Sequence, residues 1–358
     1  MLQIRVPDET DEHWSRVDPN TFGWRRALPT LFDGVNDVDA NTALRRFETR
    51  LLEPGDVLCR EGEAATELTC VRSGRLEVRS NDQLLGHIMP DDLVGEMGLF
   101  EDSRRTATVT ATESTEVLVL TCEGYEELRA TVHPIVRNIE RAAMELQVSR
   151  LRATGERVAQ LVKGTPVEPV SIGERFRAGV RRLFGPGGMF STSDADPFEA
   201  LGRSELFADV PEAFLREIAA CFRPAAYREG QLLCTQDEPG DWMFILDQGE
   251  VDVVLSNRGE DVIRVATLAQ GSAFGMVAMV VPGDRMASVI ARTPVVVHAL
   301  GVDGWSRLML HPWGTGSAFR RAVIKAFGAQ LAATNAQVVA YEKGHDVDAL
   351  QLAKARLA

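Results

Sequence analysis

Apolar and polar positions alternate in short runs between residues 52 and 120, and turn-forming residues separate these runs. Leu68 to Val78 divides at Gly74 in the manner of a hairpin, and Leu84 to Ile88 has the length of a further strand. Val109 to Leu120 alternates and then becomes fully apolar. Short runs bounded by turns favour neighbouring strands in antiparallel order. We therefore predict an antiparallel β-roll of jelly-roll-like type.

Helices are predicted on both sides of this roll. The apolar residues from Leu31 to Arg50 favour short helices, Glu123 to Thr131 favours one more, and Pro134 to about Val162 favours a longer one. The longer helix carries a single apolar seam with steps of four and three: Ile135, Ile139, Ala142, Leu146, Ser149 and Ala153. A seam of this kind packs either on its own domain or against a second helix.

The same pattern begins again at Phe198, which predicts a second copy of the first fold. Corresponding positions lie 175 apart before a five-residue insertion around residues 257–261 and 180 apart after it: Leu58 with Leu233, Gly95 with Gly275, and Arg105 with Arg285. The predicted fold class is α+β, with two tandem β-roll domains and flanking helices. The predicted segments are an arm (1–30), a first domain (31–162), a linker (163–197), a second domain (198–341) and a tail (342–358).

The linker contains one amphipathic segment among its glycines and prolines. Gly173 to Phe184 places four arginines and one glutamate opposite an apolar face. Such a segment docks on a protein partner, on a membrane surface or on an acidic part of its own chain. The acid excess elsewhere in the chain favours docking on its own domains.

Composition narrows the function classes. The chain of 358 residues has a formal net charge of −13, which argues against a general binder of nucleic acids or anionic membranes. Its five cysteines lack the C-x-x-C spacing, and we interpret them as reduced core thiols. A basic, apolar leader and an apolar run of membrane-spanning length are both missing, so a cytoplasmic protein is expected.

The chemistry of the chain concentrates in residues 93–109. Gly95 and Gly98 allow close approach of the backbone, and Met97 to Phe100 can form one helical turn whose free N–H groups face an anion. Arg105, nine residues after Glu96, adds a cation. A carboxylate beside a phosphate is repulsive unless a hydroxyl group lies between them. A 3′,5′-cyclic nucleotide supplies that group as its ribose 2′-OH.

These residues also resemble a known family. Gly95-Glu96-Met97-Gly98-Leu99-Phe100, followed by Arg105-Thr106-Ala107-Thr108, is similar to the phosphate-binding cassette of cyclic nucleotide-binding domains of the catabolite activator and kinase regulatory-subunit type. The resemblance implies that Arg105 holds the cyclic phosphate and Glu96 the 2′-OH, with the backbone of Gly95, Met97 and Gly98 on the remaining oxygens. Val94 and Arg104 replace the family's usual aromatic residue and proline.

The resemblance extends to the long helix and to the base. Leu146-Gln147-Val148 is similar to a run in the lid-and-dimer helix of that family, which implies that Ser149 or Arg150 faces the purine and that a homodimer forms through residues 134–162. Thr106 resembles the threonine of cyclic-GMP-selective domains, whereas the cassette as a whole favours cyclic AMP. Both nucleotides stay candidates, and cyclic AMP is preferred.

The second copy lacks several residues of the pattern found at residues 93–109. Met276 stands where Glu96 stands in the first copy, and a thioether is only a weak acceptor. Met286 replaces Thr106 in the space of the purine, and Asp284 offers Arg285 an internal counter-ion. We predict that this copy does not bind a cyclic nucleotide. The alternative is that Gly275 and Arg285 still bind a phosphate or another anion.

Motifs for catalysis, cofactors and metal are missing. The six histidines are scattered without metal-ligand spacing, and neither a Walker A loop, a nucleophile elbow nor a kinase signature is present. A basic recognition helix is missing as well, so direct DNA binding is not expected. The preferred hypothesis is a receptor that binds one nucleotide in its first domain and signals allosterically to a separate protein partner. The alternative is a structural or scaffold protein that binds none.

Overall fold

The computed structural model describes residues 28–80, 83–101, 103–162, 195–256, 262–312 and 314–342. The chain divides into two compact units, Met1–Ile139 and Glu140–Ala358. The arm before residue 28, the amphipathic linker segment 173–184 and the tail after residue 342 lie outside the described residues. No helix in the described ranges is long and apolar enough to cross a membrane.

The first unit contains two four-stranded antiparallel sheets within its described residues. Its strands are β1 Phe47–Leu52, β2 Val57–Cys59, β3 Glu67–Ser73, β4 Leu76–Ser80, β5 Gln83–Ile88, β6 Leu93–Val94, β7 Thr108–Ala111 and β8 Thr115–Thr121. The strand orders are β1-β8-β3-β6 and β2-β7-β4-β5. Its helices are α1 Asp37–Leu44 and α2 Cys122–Ala130, and α3 Pro134–Val162 begins in it.

The core of this unit lies between the two sheets. Strands β3 and β8, which are central in their sheet, are nearly continuous buried runs. β5 is at an edge and is mostly exposed. One core cluster collects side chains from both sheets: Leu52, Cys59, Val71, Leu76, Val94, Val109, Ala111, Val117 and Val119. The predicted β-roll is therefore confirmed.

The second unit repeats this topology. Its strands are β9 Arg223–Tyr227, β10 Leu232–Cys234, β11 Trp242–Gln248, β12 Val251–Ser256, β13 Val262–Leu268, β14 Ala273–Phe274, β15 Ser288–Ala291 and β16 Val295–Gly301. The sheet orders β14-β11-β16-β9 and β10-β15-β12-β13 match those of the first unit strand for strand. Its helices, besides most of α3, are α4 Pro197–Arg203, α5 Glu212–Ala219, α6 Val277–Val280, α7 Val302–Leu310 and α8 Gly314–Glu342.

Strand register confirms the spacing of the repeat. Arg50 lies opposite Val117 in the first unit, and Ala225 lies opposite Val297 in the second. These pairs are 175 and 180 positions apart, as the sequence alignment of the two halves predicts. The five-residue insertion falls between β12 and β13, so it lengthens one connection and leaves both sheets intact.

Helix α3 has a buried stripe that differs from the predicted seam. Ile135 and Ile139 are fully buried as expected, but Ser149 is exposed. Further along, the stripe passes through Glu140, Ala143, Met144, Gln147, Val148 and Leu151. The polar members of this stripe were not recognised as core positions, because their partners come from distant parts of the chain. From Glu140 onward this stripe packs within the second compact unit, whereas the sequence had suggested the helix's own first domain or a second helix.

Glu140 is the clearest of these polar positions. Within the second unit its Oε2 accepts a hydrogen bond from Nε of Arg320 at 2.5 Å, and its Oε1 accepts one from Oγ of Ser317 at 2.6 Å. Glu140 and Arg320 are 0% and 3% exposed. Arg320 also donates from Nη1 to the carbonyl oxygen of Met309 at 2.8 Å. The charges of both groups are thereby compensated inside the protein.

All five cysteines are free thiols. Cys59, Cys70 and Cys234 are buried, and Cys122 and Cys221 are partly buried. Burial raises the pKa of Cys70 to about 12 and that of Cys234 to about 11. These two thiols therefore stay protonated and act as small apolar side chains.

We expect Glu140→Ala to lower the free energy of unfolding of the second unit by about 3–5 kcal/mol, because Arg320 then keeps a buried charge without its carboxylate. Urea denaturation followed by tryptophan fluorescence measures this, since Trp242 and Trp305 both lie in this unit. Glu342→Ala is the control: it removes an ion pair with Arg157 at 2.9 Å whose two side chains are about half exposed. Equal losses in the two variants would contradict the role given to Glu140.

Candidate functional site

The predicted cradle lies between β6 and β7 of the first unit. After Val94 the backbone turns at Gly95, with φ of 76°, and a 3₁₀ turn follows at Glu96–Leu99. The turn thus begins one residue earlier than predicted. The N–H of Gly98 donates to the carbonyl oxygen of Gly95 at 3.1 Å, so this amide is used inside the turn. The N–H groups that begin such a turn have no partner within it and can face an anion.

Both cradle glycines stand where a side chain would collide with its surroundings. A Cβ atom at Gly95 would lie 1.6 Å from Nη1 of Arg105, and one at Gly98 would lie 2.3 Å from the carbonyl oxygen of Ala65. Gly95 also has a left-handed backbone, which L side chains rarely adopt. The sequence motif therefore needs glycine at both positions for steric reasons.

Arg105 is a buried cation with two nitrogen atoms unused. The residue is 8% exposed, and its Nη2 donates to the carbonyl oxygen of Glu67 at 3.1 Å. Its Nε and Nη1 have no hydrogen-bond partner among the described residues. The backbone of Arg105 is fixed by bonds with Gly62 and Glu63, both of 2.8 Å. A fixed, buried guanidinium with free donors is suited to bind an anion such as phosphate.

Glu96 is buried in the same turn. It is 1% exposed, which is rare for a carboxylate. The sequence motif placed an acid, two glycines and an arginine close together, and the structure brings all four into one cradle. Thr106, the predicted neighbour of the base, is exposed beside them.

Two residues beside the cradle were missed by the sequence analysis. Arg50 on β1 donates from Nη1 and Nη2 to Oε1 and Oε2 of Glu67 on β3, both at 3.0 Å, and from Nη2 to Glu48 at 3.2 Å. Burial alone would lower the pKa of Arg50, but these two carboxylates outweigh it and raise the pKa above its ordinary value. A comparison of the two copies could have drawn attention to Arg50 and Glu67, because Ala225 and Trp242 occupy the corresponding positions in the second copy.

The second cradle keeps the left-handed glycine, but its turn is α-helical (Val277–Val280) and its arginine is bonded differently. Gly275 has φ of 85°, and Met276, at the place of Glu96, is buried. The guanidinium of Arg285 donates from Nη1 to the carbonyl oxygen of Gly275 at 2.9 Å and from Nη2 to that of Trp242 at 2.6 Å. Within the described residues Arg285 forms no ion pair with Asp284, so the expected counter-ion is replaced by two backbone carbonyls.

Two segments match the model of the cyclic nucleotide-binding domain, residues 49–131 and 224–311. Each contains one cradle with its arginine. The chain carries two cyclic nucleotide-binding domains in tandem. The resemblance to cyclic nucleotide-binding domains and the predicted α+β fold of two β-rolls are thus confirmed.

The chain is also similar in sequence to two protein kinase components and in fold to a solved regulatory domain. A cGMP-dependent protein kinase of Eimeria tenella is 22% identical over 77% of this chain, and a cAMP-dependent protein kinase regulatory subunit of Yarrowia lipolytica is 23% identical over 78%. The chain spans only 21% and 58% of the length of these two proteins. The regulatory domain of Toxoplasma gondii PKA, solved with cAMP, shares 19% identity and a TM-score of 0.31, over 79% of this chain and 89% of its own.

Helix α3 packs against the cradle of the second domain. Nη2 of Arg152 donates to the carbonyl oxygen of Val281 at 3.0 Å, and a Cβ atom at Gly283 would lie 2.8 Å from the same nitrogen. A Cβ atom at Gly155 would lie 2.6 Å from Cε of Met286. Met286 therefore contacts this helix, and it is also 38% exposed.

The predicted lid residues are on the exposed side of α3. Ser149 and Arg150 are both exposed and belong to the second compact unit. Their role toward a nucleotide stays a prediction. Among the described residues no group of three or more His, Cys, Asp or Glu side chains could hold a metal ion.

We expect Gly95→Ala to destabilise the first domain more than Gly34→Ala. The two glycines have nearly equal φ angles of 76° and 74°, so the backbone strain, about 1–2 kcal/mol, is shared. Gly34 has no atom within 4 Å of an added Cβ, whereas Gly95 has Arg105 in that space. Thermal unfolding followed by circular dichroism should therefore show a lower Tm for both variants, with a clearly larger decrease for Gly95→Ala. Equal Tm values for the two variants would mean that Arg105 moves away at no cost.

Proposed function

We propose that this protein is a cyclic-nucleotide receptor that binds one 3′,5′-cyclic mononucleotide in its first domain and regulates a separate protein partner. The observation that carries this proposal is the pair of unused donors, Nε and Nη1, on the buried guanidinium of Arg105. A buried, incompletely bonded cation is costly unless an anion completes it. A cyclic phosphate fits the charge and the turn beside it.

Each residue of the cradle has a separate role in this proposal. Arg105 pairs with an equatorial oxygen of the phosphate, and the N–H groups at the start of the 3₁₀ turn, including that of Met97, face the other oxygen. Glu96 accepts the hydrogen bond of the ribose 2′-OH, which selects a ribonucleotide. Gly98 contributes by its missing side chain, because its amide is bonded to Gly95.

Cyclic AMP is the proposed ligand, and cyclic GMP is the alternative for the same site. The resemblance of the complete cassette favours the adenine nucleotide, whereas Thr106 alone favours the guanine nucleotide. Binding of either nucleotide uses the same phosphate and ribose contacts, so the two ligands test one proposal.

The second domain is proposed to be a structural copy that binds no cyclic nucleotide. Arg285 already donates to two carbonyl oxygens, Met276 cannot replace a carboxylate, and Met286 packs against Gly155 of helix α3. The first of these features removes the contact with the phosphate, the second the contact with the ribose, and the third the contact with the base. One nucleotide per chain follows from this difference between the two domains.

The proposed partner is a protein, and the chain acts on it by binding rather than by catalysis. Both matched segments are ligand-binding domains. The names of the relatives make a protein kinase the first partner class to examine. A ligand can regulate such a partner only through a difference in its affinity for two conformations of the receptor.

We expect Arg105→Ala to weaken binding of cyclic AMP about ten- to hundredfold, because a charge-assisted hydrogen bond contributes about 1.5–3 kcal/mol. Isothermal titration calorimetry of the full chain should give one site for the wild type. Arg285→Ala is the matched control, since it removes the same group from the second cradle, and it should leave affinity and stoichiometry unchanged.

Two results of this titration would contradict the proposal. Absence of binding for both cyclic AMP and cyclic GMP would favour the alternative of a structural or scaffold protein. Two sites on the wild type, one of them lost with Arg285→Ala, would show that the second domain is also a receptor.

We expect Glu96→Gln to weaken binding of cyclic AMP and to narrow the preference for cyclic AMP over its 2′-deoxy analogue. The amide oxygen accepts a weaker hydrogen bond than a carboxylate does, so about tenfold of the preference should be lost. Competition titrations with both nucleotides measure the ratio directly. An unchanged ratio would show that Glu96 does not contact the 2′-OH.

A further inference from the structure

Arg50 and Glu67 form a two-bond ion pair directly beside the cradle. They lie on β1 and β3, the two strands that flank β8. Each oxygen of the Glu67 carboxylate accepts from a different Nη atom of Arg50 at 3.0 Å. The two side chains are only 14% and 16% exposed, so water screens the pair weakly.

Glu67 is also within ion-pair distance of Arg105. Nη2 of Arg105 lies 3.9 Å from Oε1 of Glu67 and donates to the backbone carbonyl oxygen of the same residue at 3.1 Å. The carboxylate thus has two cations near it, and the closer one, Arg50, occupies both of its oxygens. Parallel bonds of this kind are stronger and more directional than a single contact at 3.9 Å. The carboxylate approaches Arg105 only at Nη2 and without a hydrogen bond, and Nε and Nη1 have no hydrogen-bond partner among the described residues.

The second domain lacks this arrangement. At the two positions that correspond by strand register it has Ala225 and Trp242. There the guanidinium of Arg285 is taken up by the carbonyl oxygens of Gly275 and Trp242. The ion pair is thus restricted to the domain in which the arginine keeps free donors.

We propose that Arg50 is a positioning residue, which holds the carboxylate of Glu67 away from Arg105 and so keeps Arg105 available for the cyclic phosphate. This inference rests on the proposed function of the first domain. Without Arg50, Arg105 is the nearest described cation to Glu67, and the carboxylate competes with the phosphate for it. Arg50 then affects affinity without touching the ligand.

The test is a double-mutant cycle measured by isothermal titration calorimetry of the full chain with cyclic AMP. We expect Arg50→Met to weaken binding about tenfold, a usual size of coupling within one network of charges. Glu67→Gln removes the competing charge, so it should bind at least as tightly as the wild type. The double variant, Arg50→Met with Glu67→Gln, should regain wild-type affinity.

Arg72→Met is the matched control. Arg72 on β3 forms an ion pair with Glu116 of β8 at 2.9 Å, and the two side chains are 21% and 31% exposed. The pair lies in the same sheet as Arg50 and Glu67. This variant should lose stability without a change in affinity for cyclic AMP. It therefore separates a general loss of stability from a specific effect of Glu67 on Arg105.

Four outcomes overturn the inference while leaving the proposed function intact: wild-type affinity in Arg50→Met, a loss that Glu67→Gln does not restore, weaker binding by Glu67→Gln alone, and an equal loss in Arg72→Met. If Arg50→Met does not fold, as judged by circular dichroism, the two variants that carry Glu67→Gln decide, and weak binding by either of them overturns the inference. A wild-type chain that binds neither cyclic AMP nor cyclic GMP overturns the proposed function itself.

Discussion

The first domain is organised around one constraint, the buried positive charge of Arg105. A charged group with 8% exposure is costly to remove from water, and one backbone carbonyl repays only part of that cost. The fold tolerates this because backbone hydrogen bonds with Gly62 and Glu63 fix the backbone of Arg105 and because Gly95 leaves room for its Nη1. The Nε and Nη1 of Arg105 thereby stay without a hydrogen-bond partner among the described residues.

The two domains hold arginines at corresponding positions, Arg105 and Arg285, on the same scaffold but with different hydrogen bonds. Their sheets have identical strand orders, and each has an apolar cluster that joins both sheets. The hydrophobic core thus maintains the topology independently of the cradle. Arg285 is satisfied by carbonyl oxygens at 2.9 and 2.6 Å, whereas Arg105 has a single one at 3.1 Å. The same strand order thus accommodates two different bonding patterns of the corresponding arginines.

Buried polar groups also determine how α3 packs. Its stripe includes Glu140, which is held by Arg320 and Ser317 of α8. A carboxylate is stable at such a position only when its partners are present, so this contact is specific as well as stabilising. From Glu140 onward, α3 is thereby fixed to α8 within the second compact unit.

Local sequence determined the parts of this protein that depend on spacing along the chain. Alternating apolar runs predicted the β-rolls, the offsets of 175 and 180 residues predicted the second copy, and the glycines, Glu96 and Arg105 predicted the cradle. These features are local because strands, hairpin turns and a 3₁₀ turn after a glycine are each set by residues close in sequence.

Only the tertiary structure decided which groups meet across strands and helices. It placed Glu67 between Arg50 and Arg105, and it gave Arg285 two carbonyl oxygens in place of Asp284. It also placed Glu140, which the sequence pattern had not predicted as a core position, in the buried stripe of α3. The physical reason is that a charged side chain becomes a core residue only when a partner distant in sequence compensates it, and the periodicity of one segment carries no information about that partner.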